Sequence, residues 1–235
     1  MIDKQIQLFL LPYAGGSSFS FFKVNRFLDK RIETIPVEYT GRGARSSEKL
    51  INIFEDCLKD VSSQINKYRK QTIPYAVLGY SLGSVLAYDL LRKHLIDGEF
   101  PKHVFFCAEG SLRKLSEENK KSNYAEEGLF DTIKKLGGFS KSSLKNPEAL
   151  QDIYPLIKND FFVYRKYEYY YYQFNFDISI INSSNDFSAV NLEDWKNITT
   201  KKTDYYELGD NHFFINEKYS ELADIINKKL IAFLN

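Results

Sequence analysis

The pentapeptide Gly79-Tyr80-Ser81-Leu82-Gly83 is the strongest chemical signal in this chain. It lies between an apolar run, Tyr75-Ala76-Val77-Leu78, and a helical pattern from Ser84 to His94, in which Val85, Leu86 and Leu90 share a face. A serine on a sharp strand-to-helix turn needs small residues at both flanks, because the backbone there is strained and its neighbours approach closely. The helix N-terminus that follows favours developing negative charge. Ser81 is therefore the candidate nucleophile.

A serine hydroxyl is not nucleophilic at its own pKa and needs a general base. The chain has 3 histidines, so elimination is informative. His94 closes the helix after Ser81, roughly 20 Å from the turn at 1.5 Å per residue. His103 precedes Val104-Phe105-Phe106 and so sits at the amino end of a strand, opposite the edge where the serine projects. His212, in Gly209-Asp210-Asn211-His212-Phe213-Phe214, follows a strand at its carboxyl end and is the one placed to act as base. The acid that orients it should come from another strand's carboxyl end, in chain order Ser, Asp, His. Asp186 meets this condition through the turn Asn182-Ser183-Ser184-Asn185. Asp210 reads as a turn residue, and Asp177 lies at the wrong end of its strand. Two backbone amides must face the oxyanion. One is that of Leu82, and the other belongs to Ala14 or Tyr13 in the loop Pro12-Tyr13-Ala14-Gly15-Gly16. A phosphate-binding role for that loop is disfavoured, since the G-x-G-x-x-G spacing is absent and Pro12 has no N–H.

The elements that must hold these residues are legible as an alternation. Ile6 to Leu11, Ile32 to Val37, Tyr75 to Leu78, Val104 to Ala108, Ile178 to Ile181 and Asp204 to Leu208 read as strands. Leu50 to Tyr68, Ser84 to His94 and the closing stretch with Leu222, Ile225, Ile226, Leu230 and Phe233 read as helices. Such alternation specifies an α/β fold with a mostly parallel sheet covered on both faces. From about 112 to 158 the chain is polar and only weakly periodic. This segment reads as a helical insertion over the sheet's carboxyl edge, where open α/β sheets bind ligands.

The 235 residues suit a single domain with one core. With 32 Lys+Arg against 31 Asp+Glu, no global field points to nucleic acid or to an anionic membrane. No signal peptide or stretch of membrane-helix length is evident, and Cys57 and Cys107 read as buried thiols of a reducing, cytoplasmic setting. Nothing in the pattern demands more than a monomer. The tract Tyr164 to Tyr172 is the one biased segment; its alternating tyrosines read as one face of a strand or as core lining.

The ordered set Leu10-Leu11-Pro12-Tyr13-Ala14-Gly15-Gly16, Tyr39-Thr40-Gly41-Arg42-Gly43-Ala44-Arg45, Gly79-Tyr80-Ser81-Leu82-Gly83 and Gly209-Asp210-Asn211-His212-Phe213-Phe214 resembles the stand-alone type II thioesterases of nonribosomal peptide and polyketide synthesis. Leu136-Gly137-Gly138, Asn159-Asp160-Phe161, Tyr167 and Trp195 agree with it, so the resemblance covers nearly the whole chain. It implies an α/β-hydrolase fold with a helical lid and no cofactor. The implied activity is removal of acyl groups from the phosphopantetheine arm of acyl or peptidyl carrier proteins. Carried over, Ser81 is nucleophile, Asp186 orienting acid and His212 base, and the amides of Ala14 and Leu82 form the oxyanion hole. The chain departs from the family pattern at Tyr80, usually His, and at Leu82, usually Met. Thr40 stands where proline is common, Asn211 replaces a glycine, and Asp186 lacks the usual upstream glycine. None of these removes a catalytic group, but they leave room for changed substrate preference or for product offloading or transfer.

A small-ester carboxylesterase or an acyltransferase would share the same constellation. A non-catalytic carrier-binding protein is disfavoured because all three triad residues are present. Leu112 to Lys145 carries Arg113, Lys114, Lys120, Lys121, Lys134, Lys135, Lys141 and Lys145 against Glu117, Glu118, Glu126, Glu127 and Asp131. That charge run reads as a solvated helix surface, with docking of an acidic carrier domain as the sharper alternative.

Overall fold

A computed structural model describes residues 3–121, 129–137 and 147–234. Six parallel strands form one sheet in the order β2-β1-β3-β4-β5-β6. They are β1 (Ile6–Leu11), β2 (Ile32–Pro36), β3 (Tyr75–Tyr80), β4 (His103–Cys107), β5 (Asp177–Asn182) and β6 (Thr203–Glu207). The helices are α1 (Phe22–Asn25), α2 (Phe54–Tyr68), α3 (Leu82–Arg92), α4 (Leu112–Lys121), α5 (Leu129–Leu136), α6 (Pro147–Arg165) and α7 (Tyr219–Ile231). This is the arrangement expected of an α/β-hydrolase, and no described helix is long and apolar enough to cross a membrane.

Period-2 alternation divides the strand side chains between two cores. Phe9, Leu11, Tyr75, Val77, Val104, Phe106, Ile178 and Ile180 pack on one face with α2 and α3. Ile6, Leu8, Leu10, Ala76, Leu78, Phe105, Cys107 and Ile181 pack on the other with α1 and α7. Burial on both faces explains why β1, β3 and β4 are apolar almost throughout. Helix α2 buries Phe54, Cys57, Leu58, Val61 and Ile65, a stripe at three- and four-residue spacing. It starts at Phe54 rather than Leu50, because Ile51 to Ile53 run along the surface before the first turn.

Chain order reverses where β1, having paired with β2, also pairs with β3. The crevice at such a switch point lies beyond the carboxyl ends of the two central strands. Here those ends lead into the Pro12–Gly16 loop and into Ser81, so topology alone brings the two sequence motifs together.

The insertion places α4, α5 and α6 in the expected segment, and α6 continues past residue 158 to Arg165. The tyrosine tract forms no strand among its described residues. Tyr167 is buried and Tyr169 and Tyr172 pack on the core, while Tyr170 and Tyr171 are exposed, so its core-lining reading holds in part. Gly138, Glu126, Glu127, Lys141 and Lys145 lie outside the described residues.

Candidate active site

Ser81 follows β3 and caps α3 with φ 53° and ψ −115°, a positive φ that a non-glycine residue holds only when its surroundings impose it. Its amide donates to the Cys107 carbonyl at 2.8 Å. Buried Ser84, one turn on, donates its hydroxyl to the carbonyls of Gly79 (2.8 Å) and Cys107 (3.0 Å), bracing the turn against β4. The flanking glycines are sterically required. A methyl group on Gly79 would overlap the Gly83 backbone, and one on Gly83 would overlap the Leu11 carbonyl.

His212 and Asp186 converge from the ends of β6 and β5. The imidazole Nδ1 lies 2.6 Å from Asp186 Oδ2, and both side chains are buried. With Nδ1 donating to the carboxylate, Nε2 is left as the acceptor, the tautomer a general base requires. Ser188 completes the acid's shell, donating its hydroxyl (2.6 Å) and its amide (2.9 Å) to Asp186 Oδ1. Burial alone would raise the Asp186 carboxyl, but the hydrogen bonds from His212 and Ser188 hold it below the ordinary carboxylate value.

The other candidates fall where spacing placed them. His94, just past the end of α3, is exposed, and its Nε2 lies 3.1 Å from the Tyr172 hydroxyl. His103 is buried at the amino end of β4, with Nε2 2.8 Å from Ser179 Oγ. Asp210 is exposed. On the helical insertion, Arg113 bonds Glu117 and Asp194, and Lys114 pairs with Glu117, as expected of a solvated charged surface.

In the Pro12–Gly16 loop, Gly16 N–H closes a turn onto the Tyr13 carbonyl, and Gly15 N–H is taken by Asp160. Among the described residues the Ala14 amide donates to no acceptor. Leu82, the first residue of α3, likewise has an amide outside the helical ladder. Two cavities meet at Ser81. One, of about 280 Å³, is walled by Ile133, Leu136, Ile153, Ile157, Phe161 and Phe213. The other, of about 260 Å³, reaches Glu109, Lys114, Asn119 and Tyr164. Ala14, Ser81 and His212 line both.

Three residues around the candidate site escape a reading of the sequence. Tyr80, flagged only as a departure from the usual histidine, donates its hydroxyl to the His212 carbonyl at 2.6 Å. Ser188 gave no signal beyond lying two residues after Asp186. Glu109 is buried at the end of β4, where desolvation drives its carboxyl well above the ordinary value even though it accepts hydrogen bonds from Tyr164 (3.0 Å) and Gly110 N–H (3.1 Å). Nothing in the sequence distinguished it from a surface glutamate.

Among proteins of known sequence, the chain is 24% identical over 230 residues to gramicidin S biosynthesis protein GrsT of Aneurinibacillus migulanus, covering 96% of this chain and 89% of that protein. It is 26% identical over 224 residues to the medium-chain S-acyl fatty acid synthase thioesterase of Anas platyrhynchos, covering 92% and 87%. Among solved structures, ClbQ from the colibactin NRPS/PKS pathway superposes with a TM-score of 0.84 at 26% identity, covering 97% of this chain and 98% of ClbQ. RedJ, the thioesterase of the prodiginine pathway in Streptomyces coelicolor, gives 0.83 at 22% identity, covering 96% and 85%. The thioesterase domain model matches residues 6–230, and the chain belongs to that family.

Proposed function

We propose that this protein is a carrier-directed type II thioesterase, hydrolysing acyl groups from the phosphopantetheine thiol of acyl or peptidyl carrier proteins. Ser81 Oγ attacks the thioester carbonyl as His212 Nε2 takes its proton, with Asp186 stabilising the imidazolium. The amides of Ala14 and Leu82 receive the oxyanion. Collapse expels the pantetheine thiolate, which takes the proton from His212 and leaves an ester on Ser81. Water, deprotonated by His212, then cleaves that ester and regenerates the serine. No cofactor enters this sequence.

The observation that carries the reading is the 2.6 Å His212–Asp186 pair, set with a strained Ser81 around shared cavities in a chain of the thioesterase family. Relatives named for peptide and polyketide pathways support the carrier protein as the acyl donor. Two buried thiols, Cys57 pushed up to about 12 by burial, suit a reducing cytoplasm. The test is intact-mass analysis of acyl-carrier proteins incubated with wild type and with Ser81→Ala, beside p-nitrophenyl esters. Ser81-dependent loss of acyl mass, faster than free-ester cleavage, is expected. Fast ester cleavage with acyl-carriers untouched would reassign the protein as a free-ester hydrolase.

A further inference from the structure

A buried ion pair joins the helical insertion to the loop after β2 and hydrogen-bonds the loop that carries Ala14, and the mechanism above does not use it. Asp160, on α6, and Arg42, in the loop after β2, are 3% and 5% exposed. The guanidinium grips both carboxylate oxygens, Nη1 to Oδ2 at 2.5 Å and Nη2 to Oδ1 at 2.7 Å. Each partner also holds the Tyr13–Gly16 turn directly. Asp160 Oδ2 accepts from Gly15 N–H at 2.7 Å, and Arg42 Nη1 donates to the Gly16 carbonyl at 3.0 Å. Two further bonds complete the frame: Tyr39 donates its hydroxyl to the Pro12 carbonyl at 2.8 Å, and Gly16 N–H bonds the Tyr13 carbonyl at 2.8 Å.

Every neighbour of the Ala14 amide in this loop is therefore pinned, and the pin on Gly15 comes from α6. The fit is close as well as polar: Gly15 has φ +78°, and a methyl group there would overlap Ile157, one turn before Asp160 on the same helix. Asn159, the residue before Asp160, donates to the Ile51 carbonyl at 2.8 Å, fixing the helix to the segment before α2.

Building on the assignment of Ala14 to the oxyanion hole, we propose that Asp160 is a positioning residue: through Gly15 it sets the Ala14 amide, so that seating of α6 and assembly of the oxyanion hole are one event. Catalytic competence is thereby tied to the helical insertion that walls the acyl cavity, rather than to the sheet edge alone.

Positioning and stability separate in two variants. Asp160→Ala removes the acceptor for Gly15 N–H and lowers kcat about 100-fold, the loss expected when one oxyanion donor is misplaced, with KM within about twofold. A boronic acid, to which Ser81 adds as its proton passes to His212, places an oxygen in the same hole. Its affinity falls in proportion to kcat. Because Asp160→Ala also strands the Arg42 charge, the double variant Asp160→Leu with Arg42→Met is measured beside it. Replacing a buried pair by apolar groups regains stability but offers Gly15 N–H no acceptor, so melting temperature recovers while kcat and boronate affinity stay low. Recovery of all three together would overturn the proposal and make the pair merely structural, as would a change confined to KM. A wild-type protein whose Ser81 formed no boronate adduct would instead refute the underlying assignment of the nucleophile.

Discussion

Tyr80→Phe removes one oxygen atom from the centre of the site, and its effect can be worked from the contacts. Tyr80 is fully buried; its hydroxyl donates to the His212 carbonyl at 2.6 Å and accepts from Ile215 N–H at 3.4 Å. Phenylalanine keeps the ring against Tyr13 and Phe214, so the apolar contribution is unchanged. What is lost is the partner of a buried carbonyl and of a long amide contact. An unsatisfied buried group costs about 1–3 kcal/mol, which for a chain of this size lowers Tm by about 2–12 °C. The same bond is the link between the residue before Ser81 and the backbone of His212. Without it the imidazole loses registry with the serine, and small misplacements of reacting groups cost about 10- to 100-fold in rate. The variant should therefore show reduced kcat on an acyl-thioester mimic with KM nearly unchanged, together with the lower melting temperature. A Tm within about 1 °C of wild type and kcat within about twofold would show that Tyr80 does not hold His212 in place.

Three further outcomes follow from other contacts. Gly83→Ala forces a methyl group into the Leu11 carbonyl and should give a protein that fails to accumulate folded or has lost activity, read by solubility and circular dichroism. Asp186→Asn replaces an acceptor with a group able to donate to Nδ1, favouring the wrong tautomer; kcat should fall about 10⁴-fold with the fold intact by circular dichroism. Burial and the charge of Lys229 depress the His103 imidazole to about 4, so the native state refuses a proton that the unfolded chain accepts near pH 6.5. Stability is then full above pH 6.5 and is lost as pH falls toward 4, by about 3 kcal/mol in total. His103→Gln, measured by urea unfolding at pH 7 and pH 4.5, should flatten that dependence, and an unchanged slope would show that His103 does not cause it.

Much of this site could be read from the sequence because each residue answers to a local rule. Ser81 sits between glycines that backbone overlap demands, Asp186 follows the apolar run of β5, and His212 follows the tyrosine-containing edge strand β6. Strand order then brings the Pro12–Gly16 loop beside Ser81. Ser188 stayed hidden because no local rule marks a serine two residues after an aspartate, and other contacts stayed hidden because they span long sequence separations. Tyr80 bonds a carbonyl 132 residues away, and Arg42 meets an aspartate 118 residues away. No periodicity encodes such pairings. Helix α1 is a single turn preceded by a 3-10 turn, a form too short for periodicity to specify, and it buries Val24 while the 3-10 turn buries Phe21.

The central claim is that Ser81 takes the acyl group from a carrier-bound thioester. Its most direct test is rapid quenching of the protein with an acyl-phosphopantetheinyl carrier, followed by mass analysis of the peptide that contains Ser81. A transient acyl adduct should appear on that peptide, absent from Ser81→Ala, forming as the carrier loses the same mass. Carrier deacylation at wild-type rate by Ser81→Ala, or turnover with the acyl group found on another residue, would contradict it.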